Sequence, residues 1–272
     1  MVESTASMDR LDLPYLRTLL ANRTFGHELI YLPRTSSTND VIKESAKQGA
    51  AEGTVAVTDE QTTGRGRLGR RWLAPTSTCL LCSILFRPKL APIQAQRLTM
   101  LCALAAADAI EKTAGLHIWL KWPNDLIVKS RGWKKLAGIL TETGIAGEQV
   151  TFAIVGIGIN VNVERETLPA LDPNATSILA EVGRPTDRTK LLAALLAGVE
   201  QRYETLKADE NPHQEWASRL ATLGQQVEAS TTQETLTGVA ESVDEDGALL
   251  LRTPDGTLHR LVVGDVTLKQ SS

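Results

Sequence analysis

The chain has 272 residues, with 29 Lys+Arg against 32 Asp+Glu for a net charge of −3, and 42% of its residues are hydrophobic. That balance excludes a disordered chain, a collagen-like fibre and a protein that is basic over its whole surface, and at about 150 residues per domain the length predicts one or two domains. The longest uninterrupted apolar run, Met100 to Ala107, is eight residues, far below the roughly 20 that span a bilayer. The opening MVESTASMDR has no apolar signal region, and three cysteines cannot build a disulfide framework, so a cytoplasmic protein is expected, with Met1 or Met8 as its start.

In chain order, residues 11–21 predict a short helix and Glu28 to Leu32 a short strand. Ser37 or Thr38 suits the N-cap of a helix running to about Gln48, with Asp40 in its first turn and Gly49 beyond its end. Residues 54–58 and 79–86 read as strands, the second mostly buried, and 92–113 as a long Ala/Leu helix begun near Pro92. Strands are predicted at 117–121, 136–142 and 150–159, with a hairpin loop from Gly144 to Glu148. Leu191, Leu192, Leu195, Leu196 and Val199 have helical spacing within 188–207. From Gly224 onward only short β-like stretches occur (226–229, 235–242, 248–253 and 258–263), with turn signals at Asp246-Gly247, Asp255-Gly256 and Gly264-Asp265. This change of texture predicts a small barrel or antiparallel sheet appended to a mixed α and β domain, with the division near residue 222.

The most unusual stretch is Gly64-Arg65-Gly66-Arg67-Leu68-Gly69-Arg70-Arg71-Trp72. Gly64, Gly66 and Gly69 satisfy the dinucleotide fingerprint, but that motif needs a helix after it and an acid about 20 residues on. Here another strand follows, and no Asp or Glu lies between residues 61 and 107. What remains is a glycine loop carrying guanidinium forks, suited to phosphate and carboxylate oxygens, or else a solvated basic loop or RNA-binding segment.

Four weaker constellations accompany it. In Lys121-Trp122-Pro123-Asn124-Asp125, proline turns the chain off a strand and presents an amide beside a carboxylate, fit to hold Mg²⁺, orient a phosphate or accept a proton, or simply a turn. Lys135 enters an apolar strand whose interior glycine, Gly138, marks close approach of backbone or ligand. Gly156-Ile157-Gly158-Ile159-Asn160 puts two small residues in a buried strand, for tight packing or a ligand. Ser37-Thr38-Asn39 either caps a helix or binds a polar ring. Cys79 and Cys82 match C-x-x-C, yet residues three apart on a strand point to opposite faces, and the four histidines (27, 117, 213, 259) are scattered. A zinc or redox site is therefore not expected. Trp119 and Trp122 read as packing.

Together these segments resemble the bacterial biotin protein ligases: G-R-G-R-x-G-R-x-W, K-W-P-N-D and K-L-A-G-I-L stand unbroken and in family order, with Ser-Thr-Asn upstream and G-x-G-I-N downstream. The resemblance implies an α+β fold: a mixed β-sheet flanked by helices, like that of class II aminoacyl-tRNA synthetases and lipoate ligases, with a C-terminal SH3-like β-barrel. Residues 1–222 would form the catalytic domain and 223–272 the C-terminal one. Only 36 residues precede Ser37, short of the winged helix of family members that double as repressors, so the monofunctional class without DNA binding is expected.

The implied reaction makes biotinyl-5′-AMP from biotin and ATP, with Mg²⁺, and passes biotin to a lysine on the carrier domain of acetyl-CoA or a related carboxylase. By resemblance, Ser37, Thr38, Asn39, Gln61, Gly64, Arg65, Gly66, Arg67, Lys135 and Gly138 would bind biotin. Arg67, Arg70, Trp72, Asn124, Lys135 and Asn160 would bind ATP or the adenylate. Lys135, Arg67 and Asp125 would serve catalysis, Asp125 as Mg²⁺ ligand or as acceptor of the incoming lysine's proton. The alternatives are a ligase for lipoate or another acid on the same fold, and an Arg-Gly nucleic-acid binder, which the net charge disfavours.

Overall fold

Apolar runs bounded by glycine and proline become strands of one seven-stranded sheet in a computed structural model of the protein, which describes residues 10–130, 132–231 and 234–268. The alternative start Met1 or Met8 lies outside the described residues. The strands are β1 (Leu29–Thr35), β2 (Val55–Gln61), β3 (Cys79–Phe86), β4 (Trp119–Lys121), β5 (Asp125–Lys129), β6 (Trp133–Ala146) and β7 (Gln149–Asn160), in the order β1-β2-β3-β7-β6-β5-β4. Only β1 and β2 run parallel, so the sheet is mixed, as expected.

The helices are α1 (Leu13–Leu20), α2 (Thr38–Lys47), α3 (Gln96–Ala114), α4 (Leu168–Leu171), α5 (Ile178–Val182), α6 (Arg188–Lys207) and α7 (His213–Ser218). Strand parity sorts the core between two sides of the sheet. Val55, Val57, Leu80, Ile84, Val155 and Ile157 share one cluster with α1, α3 and α6, whereas Ala56, Leu85 and Ile154 pack under Ile42 and Ala46 of α2. Helix α3 is apolar nearly all round because it is buried on both flanks. Asp187 caps α6 by accepting from the backbone N–H groups of Thr189 and Lys190.

Several expected boundaries move. The KWPND segment is not merely a tip: residues 122–124 turn between β4 and β5, with Lys121 opposite Asp125, so Asp125 begins a strand. Three-residue β4 is too short to show a period. The 144–148 loop is tighter than expected, since β6 runs to Ala146 and β7 starts at Gln149. Residues 92–95 form a 3₁₀ turn before α3, and the short helices α4, α5 and α7 carry too few turns for a readable stripe.

Five antiparallel strands complete the chain: β8 (Gln226–Ser230), β9 (Thr235–Val243), β10 (Leu249–Arg252), β11 (Leu258–Leu261) and β12 (Asp265–Leu268), in the order β11-β10-β9-β8-β12. Gly264-Asp265 is thus a turn followed by a strand. Val227, Ala229, Leu249, Leu251 and Val266 join the same core as α3 and α6. Trp122 links the two sheets. It is buried, its backbone N–H donates to Thr222 Oγ1 at 3.0 Å and its indole Nε1–H to the Gly247 carbonyl at 2.9 Å. This SH3-like unit is thereby fastened to the KWPND turn. Among the described residues no helix is long and apolar enough to cross a membrane.

Candidate active site

Beyond the N-terminus of α2, the sheet face that this helix covers opens into a cleft. Its floor is a trough because Gly138, Gly156 and Gly158 carry no side chains, and the space is used. A Cβ on Gly156 would lie 2.3 Å from Asn39 Oδ1, one on Gly158 2.7 Å from Trp72 Cε2, and one on Gly138 3.2 Å from Trp72 Cζ3. Of the site residues expected from the sequence, all but Gly64 line this one cleft.

At its polar end Ser37 occupies the N-cap of α2, but its hydroxyl makes no capping bond. Instead Gln61 Oε1 accepts the Thr38 backbone N–H at 2.8 Å. Beneath lies Ser83, fully buried, its Oγ 2.6 Å from both Thr38 Oγ1 and Asn39 Oδ1. An amide oxygen has no proton to give, so the Ser83 hydroxyl donates to Asn39 Oδ1 and shares that proton with Thr38 Oγ1, whose own hydroxyl donates to Gln61 Oε1 at 3.2 Å. Asn39 Nδ2 donates to Glu142 Oε2 at 2.6 Å.

The arginine loop folds as a small hairpin over this end. Arg65 bridges Arg71, the Trp72 N–H donates to the Gly64 carbonyl at 2.9 Å, and Arg67–Gly69 form a 3₁₀ turn. Gly64, expected to bind biotin, sits at the hairpin neck instead. A Cβ there would lie 2.5 Å from the Trp72 carbonyl, so its smallness closes the hairpin rather than admitting a ligand. Arg65 Nη1 lies 2.7 Å from Asp40 Oδ1 and its Nη2 3.0 Å from Glu142 Oε2. Burial works against its charge, but those two carboxylates outweigh it and hold the guanidinium above its usual range. Arg67 Nη1 donates to Asn124 Oδ1 at 3.4 Å and to the Gly264 carbonyl at 3.2 Å. Burial lowers its pKa, against the pull of Asp265 and Asp125, yet from a value so high that it stays cationic at neutral pH. Arg70 pairs with Asp265, so two loop arginines reach the C-terminal unit.

Lys135 completes the cationic lining. On a regular strand it and Gly138 would face opposite ways, but a bulge at Leu126/Ile127 in the β5–β6 ladder skips Leu136. Lys135 Nζ accordingly stands 3.5 Å from where a Gly138 Cβ would be, 5.7 Å from the Trp72 ring and 2.7 Å from Asp125 Oδ1. That last contact is an ion pair too poorly angled for a hydrogen bond. The Asn124 amide donates to the Ile139 carbonyl at 2.6 Å, which holds the turn against β6. The Asn160 amide is committed to the wall: Nδ2 donates to the Thr176 carbonyl at 3.0 Å and Oδ1 accepts from Cys79 Sγ at 3.6 Å.

Five cations, Arg65, Arg67, Arg70, Arg71 and Lys135, thus face three carboxylates, Asp125, Asp172 and Asp265, in the lining. Asp40 and Glu142 balance Arg65, and the four remaining cations outnumber the three lining carboxylates by one, an arrangement that suits a polyphosphate. Among the described residues no three His, Cys, Asp or Glu side chains converge as a metal cage. This donor set fits Mg²⁺ as an ion held chiefly by phosphate oxygens and water with one carboxylate, Asp125, added. Cys79 and Cys82 are buried in different clusters on opposite faces of β3, so their side chains point apart.

Four participants were not anticipated. Ser83 and Glu142 had a signal, a single hydroxyl in an apolar run and a carboxylate in strand register with Gly138. Asp40 stands out in the sequence only as a first-turn acid, and Asp265 lies too far along the chain to be linked to the loop.

Family models match in two places: the biotin/lipoate A/B protein ligase family over residues 31–160 and the biotin protein ligase C-terminal domain over 222–269. The bifunctional ligase/repressor BirA of Bacillus subtilis is 34% identical over 93% of this chain and 78% of its own length. The biotin--[acetyl-CoA-carboxylase] ligase of Mycobacterium tuberculosis is 30% identical over 89% and 92%. Among solved structures, the biotin protein ligase of Aquifex aeolicus in complex with biotin and ATP superposes with a TM-score of 0.75 at 30% identity, covering 90% of this chain and 99% of that one. On fold, site chemistry and these likenesses, the chain belongs to the biotin protein ligases.

Proposed function

We propose that the cleft joins the biotin carboxylate to the α-phosphate of ATP and then passes the biotinyl group to a lysine on the carrier domain of acetyl-CoA or a related carboxylase. ATP-dependent biotin ligation is the family's activity; the assignment of roles below is our reading of the geometry. In the first step a carboxylate oxygen attacks the α-phosphorus and the bond to pyrophosphate breaks. In the second, the lysine ε-amine attacks the acyl carbon, AMP leaves and the amine loses a proton. Neither step needs a covalent enzyme intermediate, so the protein's contribution is positioning and charge neutralisation.

Ser37, Thr38, Asn39 and Gln61 supply a polar end matched to the ureido ring, while the glycine floor lets Asn39 and Trp72 sit low against the sheet and leaves the cleft above them for the valerate chain. Lys135 meets the carboxylate and α-phosphate where negative charge builds. Arg67 and Arg70 neutralise phosphate oxygens, and Trp72 with Asn160 bounds the adenosine side. Asp125 would hold Mg²⁺, which arrives with ATP and adds charge neutralisation at its phosphates. Asp125 is also the carboxylate beside Lys135, so in the second step it is our candidate for accepting the ε-amine proton. We take residues 1–222 as the catalytic unit and 223–272 as a unit that seats the loop through Gly264 and Asp265.

The observation that carries this reading is the convergence of the Ser-Thr-Asn turn, the arginine loop and Lys135 on one cleft. Incubation with ATP, Mg²⁺, biotin and a carboxyl carrier domain should add one biotinyl group to one lysine, read by mass spectrometry. Modification by lipoate instead, or none, would overturn it.

A further inference from the structure

Arg65 of the loop and Asn39 of the pocket floor share one acceptor atom. Glu142 Oε2 accepts from Asn39 Nδ2 at 2.6 Å, on the floor, and from Arg65 Nη2 at 3.0 Å, on the loop. Glu142 lies on β6, on the same face as Gly138 and Leu140, where the strand is paired with β7 and Glu142 stands opposite Ile154. Among the described residues Asn39 Nδ2 makes no other hydrogen bond, and on the far side Ser83 and the missing side chain of Gly156 fix its Oδ1.

We propose that Glu142 is a positioning residue that couples occupation of the polar end of the cleft to closure of the arginine loop. The proposal rests on biotin lying in this cleft with its ring toward Asn39. A ligand that orders Asn39 also orders the carboxylate that Asn39 holds, and this carboxylate is the anchor of Arg65. Asp40 supplies a second anchor to Arg65, but among the described residues it is Glu142 that joins Arg65 to Asn39, while the loop's other floor contact, Trp72, lies over Gly138 and Gly158. The link is electrostatic: both donors meet on Oε2, and a carboxylate accepts them with the full charge that balances Arg65, whereas a glutamine oxygen at the same place accepts both without that charge.

The test compares Glu142→Gln with the parent for biotin KM, ATP KM and the rate at which adenylate escapes, the last read as labelling of a bystander protein. Charged hydrogen bonds of this kind carry roughly tenfold effects or more. The expected result is about a tenfold rise in biotin KM and in escape, with ATP KM and melting temperature nearly unchanged. In an Arg65→Ala background, Glu142→Gln should still raise biotin KM yet add less than about twofold to escape, because its partner on the loop is already gone. Equal rises in both KM values with a fall in melting temperature would mark a merely structural residue and overturn the proposal, as would parental behaviour. Thr38→Val separates the underlying reading: if biotin KM ignores Thr38→Val, the cleft assignment fails, and if it responds while Glu142→Gln does not, only the coupling fails. In the unsubstituted protein, biotin alone should slow amide hydrogen exchange over residues 64–72, and Arg65→Ala should abolish that protection. No protection by biotin would contradict the coupling even if Glu142→Gln did not fold.

Discussion

Gly156→Ala is the sharpest probe of the pocket floor. Its Cβ would come 2.3 Å from Asn39 Oδ1 and 3.0 Å from Cγ, where ordinary contact begins near 3.4 Å, so the amide must retreat by 3.4 − 2.3, about 1.1 Å. Such a shift carries the 2.6 Å bonds to Ser83 and Glu142 out of range. One neutral and one charged hydrogen bond amount to roughly 2 to 4.5 kcal/mol of folding stability. A ligand group left facing a displaced amide loses about 2 kcal/mol more in binding, or about thirtyfold in biotin Kd. Isothermal titration with biotin and with ATP, beside calorimetric melting, separates the terms: biotin Kd should rise about thirtyfold while ATP Kd stays within about twofold. Gly158→Ala, two residues on along the same face, meets the Trp72 ring at 2.7 Å and should weaken ATP instead. A folded Gly156→Ala protein with parental biotin affinity would refute the placement of biotin against Asn39.

Three other outcomes follow from the same geometry. Lys135→Ala should abolish pyrophosphate exchange, whereas Arg67→Ala should retain exchange but release adenylate that labels bystander lysines; equal small losses in both assays would contradict this division. Asp265→Asn removes the charge that pairs with Arg70 from the C-terminal unit and should increase adenylate escape and ATP KM with little change in biotin KM, read by the same assays. Burial pushes the thiols of Cys79 and Cys82 up to about 11 and about 12. The folded protein therefore keeps protons that the unfolded chain loses from about pH 9, so this stability is full below that and falls as pH rises toward 11–12. Alkylation at pH 8 should be negligible until denaturant is added, and rapid native alkylation would show these sulfurs exposed.

Which parts of this arrangement could be read from the chain follows from its geometry. Gly156 and Gly158 are two apart on a strand, so their common face is implied by period two, and so is the opposition of Cys79 and Cys82. Lys135 and Gly138 are three apart, and no alternation puts them together; the bulge that does so depends on pairing with β5, a strand hidden by the proline turn before it. The arginine loop stood out by composition, but its partners did not. Asp40 and Glu142 are 102 residues apart and Asp265 another 123 beyond, and only the folded sheet order and the anchoring of the C-terminal unit on Trp122 bring them to one hairpin. Gly64 shows a related ambiguity: a glycine needed for close approach looks the same in sequence whether what approaches is a ligand or the loop's own return strand.

A crystal structure with biotinyl-5′-AMP bound would test the assignment most directly. The account requires Lys135 Nζ and the guanidinium of Arg67 within hydrogen-bond distance of the acyl phosphate, and the ureido ring against Thr38 and Asn39. An adenylate bound elsewhere, with those side chains turned to solvent, would contradict it.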